Sequence, residues 1–242
     1  MIFDLDGTLV QTESLKAESY ARAAAELRPG AVDQQQVIDA FDACIGRPRN
    51  EVAQTLLDQF GLADAAGRLQ QQVNATTPRD AFIALRMKIY ESMVHDPDLL
   101  RRQELSYATG LVRHLQADGI PRALTTVSHA AEAMLVLDAV RLRDAFDVIV
   151  TIDEVAHGKP DPEIYLLAVR RLRKTPADCV AVEDSVPGIK AAVAAGIQCV
   201  ASTNELTRAS VHAAMPLPGV QVVDEPPKLE GVVRALLTTT RT

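Results

Sequence analysis

From Tyr107 onward the chain alternates short apolar runs with amphipathic stretches, and this alternation restricts the possible fold more than any other feature. A helical stretch ending at Asp118-Gly119 leads into 122–126, a short strand that closes on hydroxyls, and another helix follows from Ala130 to about Leu142. Residues 148–151 read as the next strand, 162–173 as a helix, 179–182 as a strand and 186–195 as a helix ended by Gly196. Residues 198–201 and 220–223 read as further strands, and 227–237 as a final helix. Strands and helices taking turns in this way imply an α/β fold, a doubly wound parallel sheet covered by helices on both faces. Ligands of such sheets bind beyond the carboxyl ends of the strands, near the point where strand order reverses.

The N-terminal stretch Met-Ile-Phe-Asp-Leu-Asp-Gly-Thr-Leu puts acids at such an end. Met1 to Phe3 form a short apolar strand, and Asp4 and Asp6, two residues apart, point the same way from it. Two acids brought together repel, so a shared proton, a basic neighbour or a divalent cation must compensate them. Gly7 permits a sharp turn, and Thr8 offers a hydroxyl and a backbone N–H beside the pair. Read alone, the stretch is equally an acidic turn closing a strand. Few residues precede Asp4, so the native first strand is expected to extend further upstream.

Between the first strand and Tyr107 the pattern is helical. Thr12 is placed to cap a helix reaching about Leu27, and Arg28-Pro29-Gly30 breaks it. Val37, Ile38, Phe41 and Cys44 follow at helical spacing; Asn50 is placed to cap a segment in which Val52, Leu56, Leu57 and Phe60 share a face before Gly61. A polar stretch to Arg79 precedes a stripe of Phe82, Leu85, Ile89 and Met93. The expected organisation is an α/β core of residues 1–11 and 103–242, interrupted by an all-helical domain at 12–102.

With 242 residues, 48% of them hydrophobic and 24% charged, the chain can bury a substantial core. A net charge of -7 and a pI near 5.3 argue against nucleic acid or an anionic membrane as the main partner. The chain carries no basic leader and no apolar run of membrane-spanning length, so it is expected in the cytoplasm, as a monomer. Cys44, Cys179 and Cys199 lack a CxxC spacing and read as buried thiols.

Further chemistry gathers at the other strand ends. Glu183-Asp184 closes an apolar strand, where adjacent acids are costly unless a cation or donor meets them; an acidic cap on the following helix is the alternative. Lys159, in His157-Gly158-Lys159-Pro160-Asp161-Pro162, is either a solvated surface charge or the positive charge that clustered carboxylates and a phosphate require. Thr126 is either an ordinary strand residue or a hydroxyl donor to a phosphoryl oxygen.

Together, Asp4-Leu5-Asp6-Gly7-Thr8, Thr126, Gly158-Lys159-Pro160-Asp161-Pro162 and Val182-Glu183-Asp184-Ser185 resemble, in order and spacing, the motifs of the haloacid dehalogenase superfamily. The resemblance is to its phosphatase and β-phosphoglucomutase-like branch with a helical cap. It implies that Asp4 is the nucleophile that forms an aspartyl-phosphate and Asp6 the general acid and base, with Thr126 and Lys159 neutralising phosphoryl charge. It further implies Mg2+ held by Asp4, Asp6 through its backbone carbonyl, Glu183 and Asp184. Gly46 and Arg49 match a cap loop that grips substrate, and Ser128 and His129 stand where relatives touch it. Lys16 occupies the position of the mutases' cap histidine, and Ala130 that of their asparagine. The expectation is a Mg2+-dependent phosphohydrolase of a small phosphorylated metabolite such as a sugar phosphate. A phosphomutase and a catalytically silent binding protein are the alternatives.

Overall fold

In the computed structural model, which describes residues 1–44 and 49–239, the sheet is built from β1 (Ile2–Phe3), β2 (Ala123–Thr125), β3 (Val148–Val150), β4 (Val180–Glu183), β5 (Gln198–Ser202) and β6 (Val220–Val223). All neighbours are parallel, in the order β3-β2-β1-β4-β5-β6. β1 can occupy the centre because both its residues are apolar and fully buried: Ile2 lies between Ala123 and Ala181, and Phe3 between Leu124 and Val182. Chain order runs outward from β1 on both sides, so the reversal falls at β1 and the residues after it face the ligand-binding end.

The chain divides into two compact units, Met1–Gln11 with Pro97–Thr242 and Thr12–Asp96. The second boundary differs from the expected 102–103. Helix Pro97–Arg102 buries Leu100 completely and packs against helix Ala130–Ala139, which holds it in the sheet unit. The chain leaves and re-enters that unit through paired backbone: Gln11 N donates to Gln103 O at 2.8 Å and Leu105 N to Leu9 O at 2.9 Å.

In the sheet unit, helices Glu163–Arg171 and Val186–Ala194 cover the sheet with Ile164, Tyr165, Ala168, Ile189 and Ala192. Cys44, Cys179 and Cys199 are buried thiols. No helix among the described residues is long and apolar enough to cross a membrane.

The helical unit contains helices Thr12–Leu27, Gln34–Asp42, Arg49–Gln59, Ala63–Leu69 and Pro78–Val94. Tyr20 centres its core, with ring centroids 5.6 Å from both Phe41 and Phe82. Arg86 is buried beside it; its guanidinium lies 5.0 Å from the Tyr20 ring and 4.4 Å from the Tyr90 ring, and its Nε donates to Ser19 Oγ at 2.7 Å. Thr77 caps the last helix by accepting from Asp80 N at 3.1 Å, with Pro78 supplying the first helical turn.

Several elements differ from the sequence reading. Asn50 lies inside helix Arg49–Gln59 rather than capping it, and Thr12 is already helical. The stretch taken as polar contains helix Ala63–Leu69, whose buried face is only Ala65 and Ala66 and leaves no large apolar stripe to read. Helix Arg208–Ala214 was likewise hidden because Val211 is its one buried residue. The helix from Ala130 ends at Ala139 instead of Leu142, and that from 162 runs Glu163–Arg171.

Phe82 is fully buried against Tyr20, so Phe82→Ala should lower stability by about 3–5 kcal/mol, read as a shift in the urea unfolding of the helical unit. A loss under about 1 kcal/mol would contradict this packing.

Candidate active site

β1 delivers Asp4 to the carboxyl edge of the sheet, where its backbone N–H extends the β1–β4 ladder by donating to Val182 O at 3.0 Å. The chain then turns sharply. Leu9 N and Val10 N both donate to Leu5 O, Gly7 N donates to Val10 O at 2.8 Å, and Gly7 adopts a φ of +82°. Glycine is required there for a second reason, since a β-carbon would overlap the Asp184 carboxyl group.

β4 ends on Glu183, and Asp184 follows it. Asp4, Glu183 and Asp184 are all buried, and each offers a carboxylate oxygen within 4.8 Å of the others. The helix after them is capped by neither acid: Ser185 Oγ accepts from Gly188 N at 3.2 Å, so the acidic-cap alternative falls away. Gly188 lets that helix approach closely, because a β-carbon on it would run into the Glu183 carboxyl.

Lys159 is buried rather than solvated. Its Nζ donates to Asp4 Oδ1 at 2.6 Å, to Glu183 Oε1 at 2.5 Å and to Thr125 O at 3.1 Å. Burial alone would lower the lysine, but the Asp4 and Glu183 carboxylates and their hydrogen bonds hold its proton well above the usual range. Asp4 is raised to about 7, first by burial and then by the Glu183 carboxylate, against the opposing pull of Lys159. Three buried carboxylates thus meet one ammonium. The donor set is all oxygen and its charge is under-compensated, which fits a hard divalent cation.

Asp6 is half-buried and belongs to a different network. Its Oδ2 accepts from Ser128 Oγ at 2.6 Å and from Thr126 Oγ1 at 3.1 Å, while Thr126 Oγ1 accepts from Ser128 N at 3.0 Å. The Thr126 hydroxyl, read from sequence as a donor to a phosphoryl oxygen, gives its proton to Asp6 here, because β2 stops at Thr125 and Thr126 begins the turn beside Asp6. Asp4, Asp6, Thr126, Ser128, Lys159, Glu183 and Asp184 therefore come together at one edge. His129 points elsewhere: its Nδ1 lies 2.6 Å from Asp153 Oδ1, and Asp153 Oδ2 accepts from Ala130 N. Arg49 is exposed at the start of a helix in the other unit, and Gly46 lies outside the described residues.

Two residues of the site escaped the sequence reading. Tyr165, fully buried, donates its hydroxyl to Glu183 Oε1 at 2.7 Å, and its ring centroid lies 5.3 Å from Lys159 Nζ. Its place inside the helical stretch 162–173 carries no signal of this role in the sequence. Asn204 donates from Nδ2 to Asp184 Oδ2 at 2.9 Å and to Gly7 O at 3.1 Å. Its place just after β5, at the same sheet end as the acids, was the available signal.

A model of the haloacid dehalogenase-like hydrolase family matches residues 1–196. The chain is 32% identical over 199 residues to a phosphorylated carbohydrates phosphatase of Thermotoga maritima, covering 82% of each chain. It is 31% identical over 204 residues to the bifunctional riboflavin kinase/FMN phosphatase of Arabidopsis thaliana, where the match takes in 83% of this chain but spans only about half, 47%, of that longer relative. In fold it is similar to the crystal structure of a β-phosphoglucomutase from Clostridium difficile, with a TM-score of 0.68, 20% identity, and coverage of 98% of this chain and 96% of that one. The extent of the family match and the relatives' identity agree with the motif order and with the convergence of the motif side chains: the chain belongs to the haloacid dehalogenase-like hydrolases, in the phosphatase group of that family.

Proposed function

We propose that this protein is a Mg2+-dependent phosphohydrolase of a small phosphorylated metabolite, a sugar phosphate, working through an aspartyl-phosphate. The observation that carries the reading is Asp4: a buried carboxylate held by Lys159 at 2.6 Å and grouped with Glu183 and Asp184 at the ligand-binding edge of the sheet. Asp4, Asp184 and the backbone carbonyl of Asp6 would hold the cation, with Glu183 adjoining. When bound, Mg2+ supplies positive charge to offset these acids and the phosphoryl oxygens.

In the first step an Asp4 oxygen attacks phosphorus, the bond from phosphorus to the ester oxygen breaks, and Asp6 gives its proton to the departing alcohol. In the second, Asp6 takes a proton from water, the hydroxyl oxygen attacks phosphorus, and the bond to Asp4 breaks to release phosphate. Lys159 holds Asp4 in place and offers positive charge beside the transferring group. Ser128 and Thr126 orient Asp6 for its proton transfers through the oxygen they share.

The carbohydrate preference draws support from the Thermotoga maritima relative. Hydrolysis is favoured over mutase action because Lys16, at the position of the mutases' histidine, pairs with Glu13 at 2.7 Å. Fixed in that ion pair, it is no substitute for an imidazole proton carrier at neutral pH.

A phosphate-release screen over sugar phosphates and other common phosphoesters, with Mg2+ and with chelator, tests the reading. Turnover should require Mg2+ and fall at least ~1,000-fold in Asp4→Asn, and roughly 100- to 10,000-fold in Asp6→Asn. Turnover that survives Asp4→Asn undiminished would remove the covalent route.

The Asp4 carboxyl also predicts a pH effect on the metal-free protein. Its value rises from 3.8 in the unfolded chain to about 7 in the folded one, so the folded protein binds more protons between these limits. Stability in chelator should therefore fall as pH rises from about 4 to 7. Urea midpoints at about pH 4 and about pH 8, which bracket that range, should differ less in Asp4→Asn and less again once Mg2+ is added. Equal slopes in wild type and Asp4→Asn would show that Asp4 is not the group responsible.

A further inference from the structure

Asn204 lies beyond β5, outside every motif on which the functional reading rests. Its side-chain amide is engaged on both ends. On one end Oδ1 accepts from Leu206 N at 2.9 Å and Thr207 N at 3.1 Å, and Thr207 Oγ1 in return accepts from Asn204 N at 3.3 Å. This reciprocal turn fixes which way the amide faces, because only the oxygen can accept from the two backbone N–H groups. The N–H2 end is consequently forced toward the acids, where its protons go to Asp184 Oδ2 and Gly7 O. The preceding residue strengthens the anchor: Thr203 Oγ1 donates to Asp224 Oδ1 at 2.7 Å, tying the turn to the end of β6.

We propose that Asn204 is a positioning residue for the cation site, acting through Asp184. By donating to Oδ2 it fixes the orientation of the Asp184 carboxylate, which stands in a group with Asp4 and Glu183. By holding the carbonyl of Gly7 it also fixes the loop that carries Asp6. Both effects lower the reorganisation that cation binding demands, which is how groups around a metal's own ligands commonly raise affinity. The inference rests on the reading of Asp4, Asp6 and Asp184 as the holders of Mg2+.

Asn204→Ser separates the two ends of the amide. Serine also accepts backbone N–H groups in such a turn, more weakly than asparagine, but has no N–H2 to offer Asp184. Mg2+ affinity is measured by calorimetry on the full chain without substrate, beside thermal unfolding in chelator. The expected result is at least roughly tenfold weaker Mg2+ binding with little change in the chelated protein's unfolding temperature. Thr207→Ala, which loosens the turn and keeps the amide, should lower the unfolding temperature and leave Mg2+ binding nearly unchanged. Asn204→Thr, which also accepts from the turn, adds no charge and has no N–H2 for Asp184, provides the same readout where the serine variant does not fold. Mg2+ affinity within twofold of wild type in the folded variant, or an equal loss in Thr207→Ala, would overturn the proposal. Wild-type protein that binds no Mg2+ would instead overturn the reading beneath it.

Discussion

The site depends on one buried ammonium group between two buried carboxylates. Lys159 reaches Asp4 at 2.6 Å and Glu183 at 2.5 Å, in a place where an unpaired charge would cost several kcal/mol. Such an arrangement holds only if each partner is set by the backbone. β1 and β4 are neighbours, so Asp4 and Glu183 emerge side by side. Gly188 has no side chain to displace the glutamate, and Tyr165 donates to the same oxygen as the lysine. Asp4, Glu183 and Asp184 form an all-oxygen group that would suit a divalent cation in the proposed mechanism.

The two aspartates of the first turn are two residues apart yet meet different surroundings. Asp4 faces the Lys159 ammonium and two further acids in a buried setting, whereas Asp6 is half-buried and meets the hydroxyls of Thr126 and Ser128. A carboxylate gripped by a lysine suits attack on phosphorus. One held by hydroxyls at a more open edge suits proton exchange with a leaving group and with water. In the proposed mechanism these different environments would let Asp4 serve as nucleophile and Asp6 as acid and base.

The helical unit enters the chain without disturbing the sheet. Its entry and exit run through backbone that is hydrogen-bonded across Leu9–Leu105 and Gln11–Gln103, so the central strands keep their pairing whatever the insertion contains. The unit has a core of its own around Tyr20, Phe41 and Phe82.

Sequence by itself determined the parallel α/β architecture and the acids at the strand ends. Ile2-Phe3 and Val180-Ala181-Val182 are unbroken apolar runs of the kind a doubly covered parallel sheet accommodates, and the residues after them lie at the carboxyl edge where such sheets bind ligands. Helices Ala63–Leu69 and Arg208–Ala214 escaped notice because they bury too little large apolar surface to leave a period. Only tertiary structure decided that Lys159 is buried, that Thr126 and Ser128 serve Asp6, that His129 turns to Asp153, and that Tyr165 and Asn204 hold Glu183 and Asp184. The reason is physical: a local pattern tells which residues leave the end of a strand, but hydrogen bonds between residues far apart in the chain follow from strand order and side-chain packing.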